Sequence, residues 1–306
     1  MRAVLFPGQG SQYVGMGSDF YEKFDFVRKI FETVDNALGF SLSNIILKGP
    51  ESELKLTQNT QPAIMTVGVC IFNVLKKEFN LNLNNTKFFA GHSLGEYTAL
   101  VCAGALSVER AAYLLHERGK SMQEAVSFEE GAMLAVLGMN INEVEDEINL
   151  LPKGEICEIA NDNSDSQVVI SGKKEIIGIF KENLKKKGKK GIVLPVSAPF
   201  HCSLMKKAAE SMKNKIECTS LLEPKPHIIS NVTAKAENDV NKIKPLLIDQ
   251  ITSRVRWRES VQYMIEHGVV DFLEIGPGKV LSGLVKKINK NVKVSNINSM
   301  EDIKND

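Results

Sequence analysis

Gly91-His92-Ser93-Leu94-Gly95 is the run with the most chemical content in this chain, a serine set between two glycines. Phe88-Phe89-Ala90 before it is strand-like, and Glu96 to Cys102 after it is helix-compatible, so the pentapeptide falls at a strand-to-helix turn. The glycines let the backbone close in while the serine takes a strained turn that lifts its hydroxyl above the sheet edge. The following helix then aims its first amides at developing negative charge. A lone GxSxG is as often an ordinary turn as a nucleophile; the strand before it and the helix after it favour the nucleophile.

A serine hydroxyl needs a base within hydrogen-bond reach. The chain has five histidines. His92 adjoins the serine and points to another side of the turn, His116 lies in a helix, and His227 follows Pro226 in a polar, turn-rich segment. His201 and His267 remain. His201 ends Val196-Ser197-Ala198-Pro199-Phe200-His201, where the chain returns to the main body at a cleft, a favoured place for ligands. His267 stands before Gly268 at a helix end, where a histidine commonly acts as a cap.

Arg118 shares a helical stripe with Val108, Ala111, Ala112, Leu115 and Met122, so it points inward. A buried guanidinium needs an anion, either an internal acid such as Glu96 or Glu124 or the carboxylate of a substrate. Phe6-Pro7-Gly8-Gln9-Gly10-Ser11-Gln12 follows the first strand. It fails as a phosphate loop because Tyr13 stands where a third glycine belongs, and it reads better as a turn that offers a backbone N–H to an oxyanion.

The elements that must position these groups alternate short apolar runs with helical stretches. Strands are expected at Ala3 to Phe6, Lys87 to Ala90, Ile228 to Asn231 and Val269 to Ile275. Helices are expected near Phe20 to Leu38, Pro62 to Phe79, Val108 to Met122 and Val261 to Glu266. The rhythm predicts an α/β fold whose mainly parallel sheet draws on both ends of the chain. The middle reads βαββαβ: Gly131 to Met139, Asn142 to Leu150, Ile156 to Ala160, Gln167 to Ser171, Lys174 to Lys187 and Ile192 to Val196. The expected organisation is a hydrolase-like catalytic core over 1–127 and 197–306, with a small ferredoxin-like α+β subdomain inserted over 128–196.

Thirty-eight Lys and Arg against 37 Asp and Glu leave no bulk field to recruit nucleic acid or an anionic membrane. Five scattered cysteines without a CxxC pair argue against a disulfide framework and a zinc site. With no signal-peptide pattern and no membrane-length apolar run, a cytoplasmic location is expected.

Taken together, residues 6–12, Gln58 to Pro62, Gly91 to Tyr97, Arg118 to Met122, Pro199-Phe200-His201 and Glu274-Ile275-Gly276-Pro277-Gly278 resemble the malonyl-CoA:acyl carrier protein transacylase family of type II fatty acid synthesis. The resemblance spans almost the whole chain. It implies that Ser93 takes a malonyl group from malonyl-CoA, with His201 as base, and passes it to the phosphopantetheine thiol of acyl carrier protein in a ping-pong cycle. By the same carry-over Arg118 holds the malonyl carboxylate, the backbone N–H groups of Gln9 and Leu94 form the oxyanion hole, and the Gln250 backbone carbonyl orients His201. Asn161 and Asn163 match asparagines that line the cleft, and Phe200 matches the malonyl-selective members. Ser253-Arg254 replaces a more usual Asn-Pro. No permanently bound cofactor is implied, and the protein is expected to be a monomer that meets acyl carrier protein transiently, through a basic patch drawn from Lys185 to Lys190, Lys206-Lys207 or Lys286-Lys287.

Two readings compete. An α/β-hydrolase esterase or thioesterase would order Ser93, then Asp239 or Asp249, then His267. A non-catalytic scaffold that binds acyl carrier protein would have no use for Ser93, His201 and Arg118 together.

Overall fold

The computed structural model describes residues 1–127, 130–196 and 198–303. Its strands are β1 (Arg2–Phe6), β2 (Thr86–Gly91), β3 (Gly131–Leu137), β4 (Cys157–Ser164), β5 (Gln167–Lys173), β6 (Lys190–Val193), β7 (His227–Ile229), β8 (Ala236–Glu237), β9 (Asp271–Ile275) and β10 (Lys293–Ile297). Six of them form one sheet in the order β10-β9-β1-β2-β7-β8, parallel throughout except for the antiparallel β7–β8 edge. The α/β expectation and the contribution of both chain ends hold.

β1 is apolar at every position from Ala3 to Phe6 because helices cover both faces of a parallel sheet. Its side chains alternate: Val4 and Phe6 join the core around helix Thr57–Glu78, while Ala3 and Leu5 join the core around Trp257 and Phe272. Phe6, Phe72 and Phe89 meet edge to face, with centroids 5.6 to 6.3 Å apart, which locks that helix onto β1 and β2 beneath the nucleophile turn.

The other four strands form a separate antiparallel sheet in the order β4-β5-β3-β6, with helices Ile141–Asn149 and Lys174–Lys186 in the two crossovers. This sheet is tied to the first layer through β4. Val255 donates its N–H to the Ala160 carbonyl at 2.8 Å and accepts from the Asp162 N–H at 3.0 Å. Beside them, the Arg258 guanidinium forks onto the fully buried Asp162 carboxylate at 2.9 to 3.1 Å. Such a planar, bidentate pair fixes orientation, and a cleft between two sheets needs that.

Three expectations are corrected. The helix near Phe20 to Leu38 is two helices, Ser18–Lys23 and Asp25–Leu38, parted by an extended Phe24; Arg28 donates to the freed Tyr21 and Glu22 carbonyls at 2.7 and 2.9 Å. The helix placed from Pro62 begins at Thr57. Proline lacks the N–H that would bond the Gln58 carbonyl one turn back, and His116 Nδ1 donates to that carbonyl instead, at 3.0 Å. The strand placed at Ile192 to Val196 is Lys190–Val193, since Pro195 has no N–H to pair and Leu194, Pro195 and Val196 line the cleft. β10 has no counterpart in the sequence reading. The proposed domain limits at 128 and 197 fall on residues outside those described.

Candidate active site

β2 ends at Gly91 and helix Gly95–Cys102 begins four residues on, with Ser93 between them in the left-handed region at φ 54. No side chain fits at either flanking position. A Cβ on Gly91 would lie 1.9 Å from the Gly95 carbonyl carbon, and one on Gly95 would lie 2.3 Å from the Phe6 carbonyl oxygen. A non-glycine residue held at this φ costs on the order of 1 to 3 kcal/mol, so surrounding bonds must enforce it. Asn231 does so, accepting the Ser93 N–H through Oδ1 at 2.7 Å and donating from Nδ2 to the Gly91 carbonyl at 2.7 Å.

His201 is buried, also has a positive φ of 58, and places Nε2 2.8 Å from Ser93 Oγ. Its Nδ1 lies 2.8 Å from the Gln250 backbone carbonyl. A carbonyl only accepts, so the proton sits on Nδ1 and Nε2 keeps its lone pair for the serine hydroxyl. Burial, reinforced by the Arg118 charge, pushes the imidazole down to about 3. The imidazole is therefore neutral at any physiological pH, the form in which it could accept a proton from Ser93. We expect nitrogen NMR to find His201 in the neutral Nδ1–H form from about pH 8 down to about pH 5, well below the range in which a free imidazole protonates. The unfolded chain binds this proton below about 6.5 and the folded chain does not until about 3, so His201 removes stability as pH falls through that window.

Arg118 is 1% exposed. Nη1 donates to Gln61 Oε1 at 2.6 Å, and Nη2 donates to Gln250 Oε1 at 2.8 Å and to Ser93 Oγ at 3.1 Å. Neither Glu96 nor Glu124 pairs with it: its polar partners among the described residues are neutral oxygens, and its Nε has none. Among the described residues no carboxylate touches the guanidinium, which lies beside the Ser93 hydroxyl.

A cavity of about 420 Å³ opens over this group, lined by Ser93, His201, Arg118, Gln9, Leu94 and Asn161, with Phe200, Met122 and Met133 adding apolar wall. Gln250 stands behind His201. No acceptor for the Gln9 or Leu94 backbone N–H appears among the described residues. Asn163 is not among the lining residues; its Oδ1 meets Nε2 of His92 at 3.0 Å, and His92, which lines the cavity beside Ser93, packs on Trp257.

A family model described as acyl transferase domain matches residues 4–304. The malonyl CoA-acyl carrier protein transacylase of Bacillus subtilis is 43% identical over 305 residues, covering 98% of this chain and 94% of that protein. The chain belongs to the malonyl CoA-acyl carrier protein transacylase family. The acyl-carrier-protein-S-malonyltransferase of Bartonella henselae superposes with a TM-score of 0.95 at 43% identity, covering 99% of this chain and 97% of that one. A malonyl-transacylase solved in complex with a type II PKS acyl-carrier protein superposes at 0.94, with 38% identity and 99% and 97% coverage.

The groups an esterase triad would use lie elsewhere in this transacylase-family chain. His267 is exposed, caps helix Trp257–Glu266 and stacks on Tyr263 with centroids 3.9 Å apart. Asp239 caps helix Val240–Asp249 by accepting the Asn241 N–H at 2.9 Å. Sequence reasoning placed Asn231 at the end of a strand that stops at Ile229, and gave neither it nor Gln61 a role. Gln61 lies in the quoted Gln58 to Pro62 motif, whereas nothing local marks Asn231. Of the lysine candidates, Lys187 pairs with Glu147, Lys286 donates to the Val292 carbonyl at 2.6 Å, and Lys206 and Lys207 line a separate groove that also holds Glu130 and Glu210.

Proposed function

We propose that this protein transfers the malonyl group of malonyl-CoA to the phosphopantetheine thiol of acyl carrier protein through an ester on Ser93. The observation that carries the reading is the buried Arg118, without a carboxylate partner among the described residues and 3.1 Å from Ser93 Oγ. A neutral ester offers such a group nothing, whereas the free carboxylate of a malonyl thioester supplies the missing charge.

In the first half-reaction Ser93 Oγ attacks the thioester carbonyl and its proton passes to His201 Nε2. The backbone N–H groups of Gln9 and Leu94 receive the oxyanion. Collapse breaks the C–S bond, and the departing coenzyme A thiolate takes the proton back from His201. The second half-reaction runs the same steps in reverse, with the carrier thiol as nucleophile. The Gln250 carbonyl takes the place of a triad carboxylate by holding the imidazole tautomer. Asn161 and Phe200 shape the acyl pocket.

The strand order β4-β5-β3-β6 and the two crossover helices support a ferredoxin-like subdomain over 128–196, inserted in a hydrolase-like core of 1–127 and 197–306. The cleft between them is where coenzyme A and the carrier arm enter. No helix of the described residues is long and apolar enough to cross a membrane. A monomeric cytoplasmic enzyme without a permanent cofactor completes the reading.

Intact mass after incubation with malonyl-CoA tests it. One malonyl adduct is expected, discharged on addition of holo acyl carrier protein. No adduct, or an adduct lost only to water, overturns the transfer.

A further inference from the structure

Glu96 is 1% exposed, and among the described residues it has no cationic partner within salt-bridge distance. Its Oε2 accepts from Gln250 Nε2 at 2.7 Å and from the Asn231 backbone N–H at 3.0 Å. The mechanism above uses no atom of it, and burial, only partly offset by those two bonds and the Arg118 charge, pushes the carboxyl up to about 7. A group kept in the interior at that cost needs a reason.

The reason lies in what its two partners hold. Gln250 binds His201 through its backbone carbonyl and Arg118 through Oε1, while its Nε2 also donates to the Ser93 carbonyl at 3.1 Å. Exchange of oxygen and nitrogen in that amide would set donors against Arg118 and an acceptor against both the Ser93 carbonyl and the Glu96 carboxylate. Asn231 staples the nucleophile turn. One carboxyl oxygen thus joins the residue that sets base and clamp to the residue that sets the nucleophile. A carboxylate touching Arg118 directly would occupy the clamp, but with the Gln250 amide interposed the guanidinium is oriented and still open.

We infer that Glu96 is a positioning residue, which holds the Arg118 clamp and the His201–Ser93 pair in register by the reach of its carboxyl oxygen to Gln250 and Asn231, and not by its charge. The inference rests on the malonyl-transfer reading.

Two near-isosteric variants separate reach from charge. Glu96→Asp keeps the charge and withdraws the oxygen by one methylene. Glu96→Gln keeps the length and an acceptor and removes the charge. Malonyl loading by E96D is expected to fall about 10- to 100-fold in kcat/KM, carried mainly by kcat, together with the malonyl-to-acetyl ratio, as expected for displaced reacting groups. E96Q is expected to stay within about threefold of the parent, because its carbonyl oxygen can accept both N–H groups. Adding E96D to Gln250→Ala should cost less than E96D costs in the parent, since the route through Gln250 is already gone and only that through Asn231 remains. Glu96→Met, which keeps the volume and removes both acceptors, should match E96D and decides the matter if E96D does not fold. Equal impairment of E96Q and E96D, full additivity with Gln250→Ala, or normal loading by a folded E96D or E96M overturns the positioning role. Failure of the unmutated protein to load malonyl on Ser93 overturns the transfer reading itself.

Discussion

Ser93→Ala should leave a folded protein that binds malonyl-CoA yet gains no mass from it, with transfer to acyl carrier protein reduced by about 10³-fold or more, the scale on which covalent nucleophiles are missed. The turn itself should survive. Its conformation is enforced by the two glycines that admit no Cβ and by Asn231, whose bonds go to the Ser93 backbone N–H and the Gly91 carbonyl and not to the hydroxyl. What disappears is the oxygen that lies 2.8 Å from His201 Nε2 and 3.1 Å from Arg118 Nη2. Unchanged thermal stability beside a complete loss of adduct is the expected pair of measurements. A malonyl adduct that persists in the variant would place the nucleophile elsewhere.

Arg118→Ala is expected to invert selectivity. Truncating one partner of a buried, hydrogen-bonded charge pair costs about 2 to 5 kcal/mol, or about 30- to 5,000-fold in malonyl-CoA kcat/KM. Acetyl-CoA has no carboxylate to leave unpaired, so its loading should fall far less, and the malonyl-to-acetyl ratio should drop by most of that factor. Removing the guanidinium also relieves the Gln61 and Gln250 oxygens it now occupies. A smaller loss of acetyl loading through slackened Gln250 is therefore expected alongside. Steady-state kinetics with the two thioesters decide the point, and an unchanged ratio would remove Arg118 from the acyl pocket.

The Ser93 turn was legible because the pattern that marks it is local, although Asn231, which holds its conformation, is not. Strand, glycine-flanked serine and helix succeed one another within β2 and helix Gly95–Cys102, and the close approaches that require glycine involve those same residues and the loop after β1. Arg118 could be turned inward by helical spacing, but spacing left its partner open between an internal acid and a substrate. Only the placement of Gln61 and Gln250 around the guanidinium excludes Glu96 and Glu124 as direct partners. The residues that misled were those where one backbone group has its partner far away. Pro62 reads as a helix start until His116 is found on the Gln58 carbonyl, and Leu194 to Val196 read as strand until the cleft is seen to claim them.

The chain by itself determined which chemistry was available: a serine on a strand-to-helix turn, an inward arginine, a parallel sheet to carry them, and motifs in the order of one acyltransferase family. The tertiary structure decided which histidine lies against Ser93, what faces the arginine, and that Glu96 and Asn231 are bonded into the same group. The bonds responsible join positions 108, 132, 138 and 154 residues apart in sequence. Contacts at such separations follow from how strands and helices distant in sequence pack around the six-stranded sheet, and that depends on the packing of the whole core and not on any local pattern.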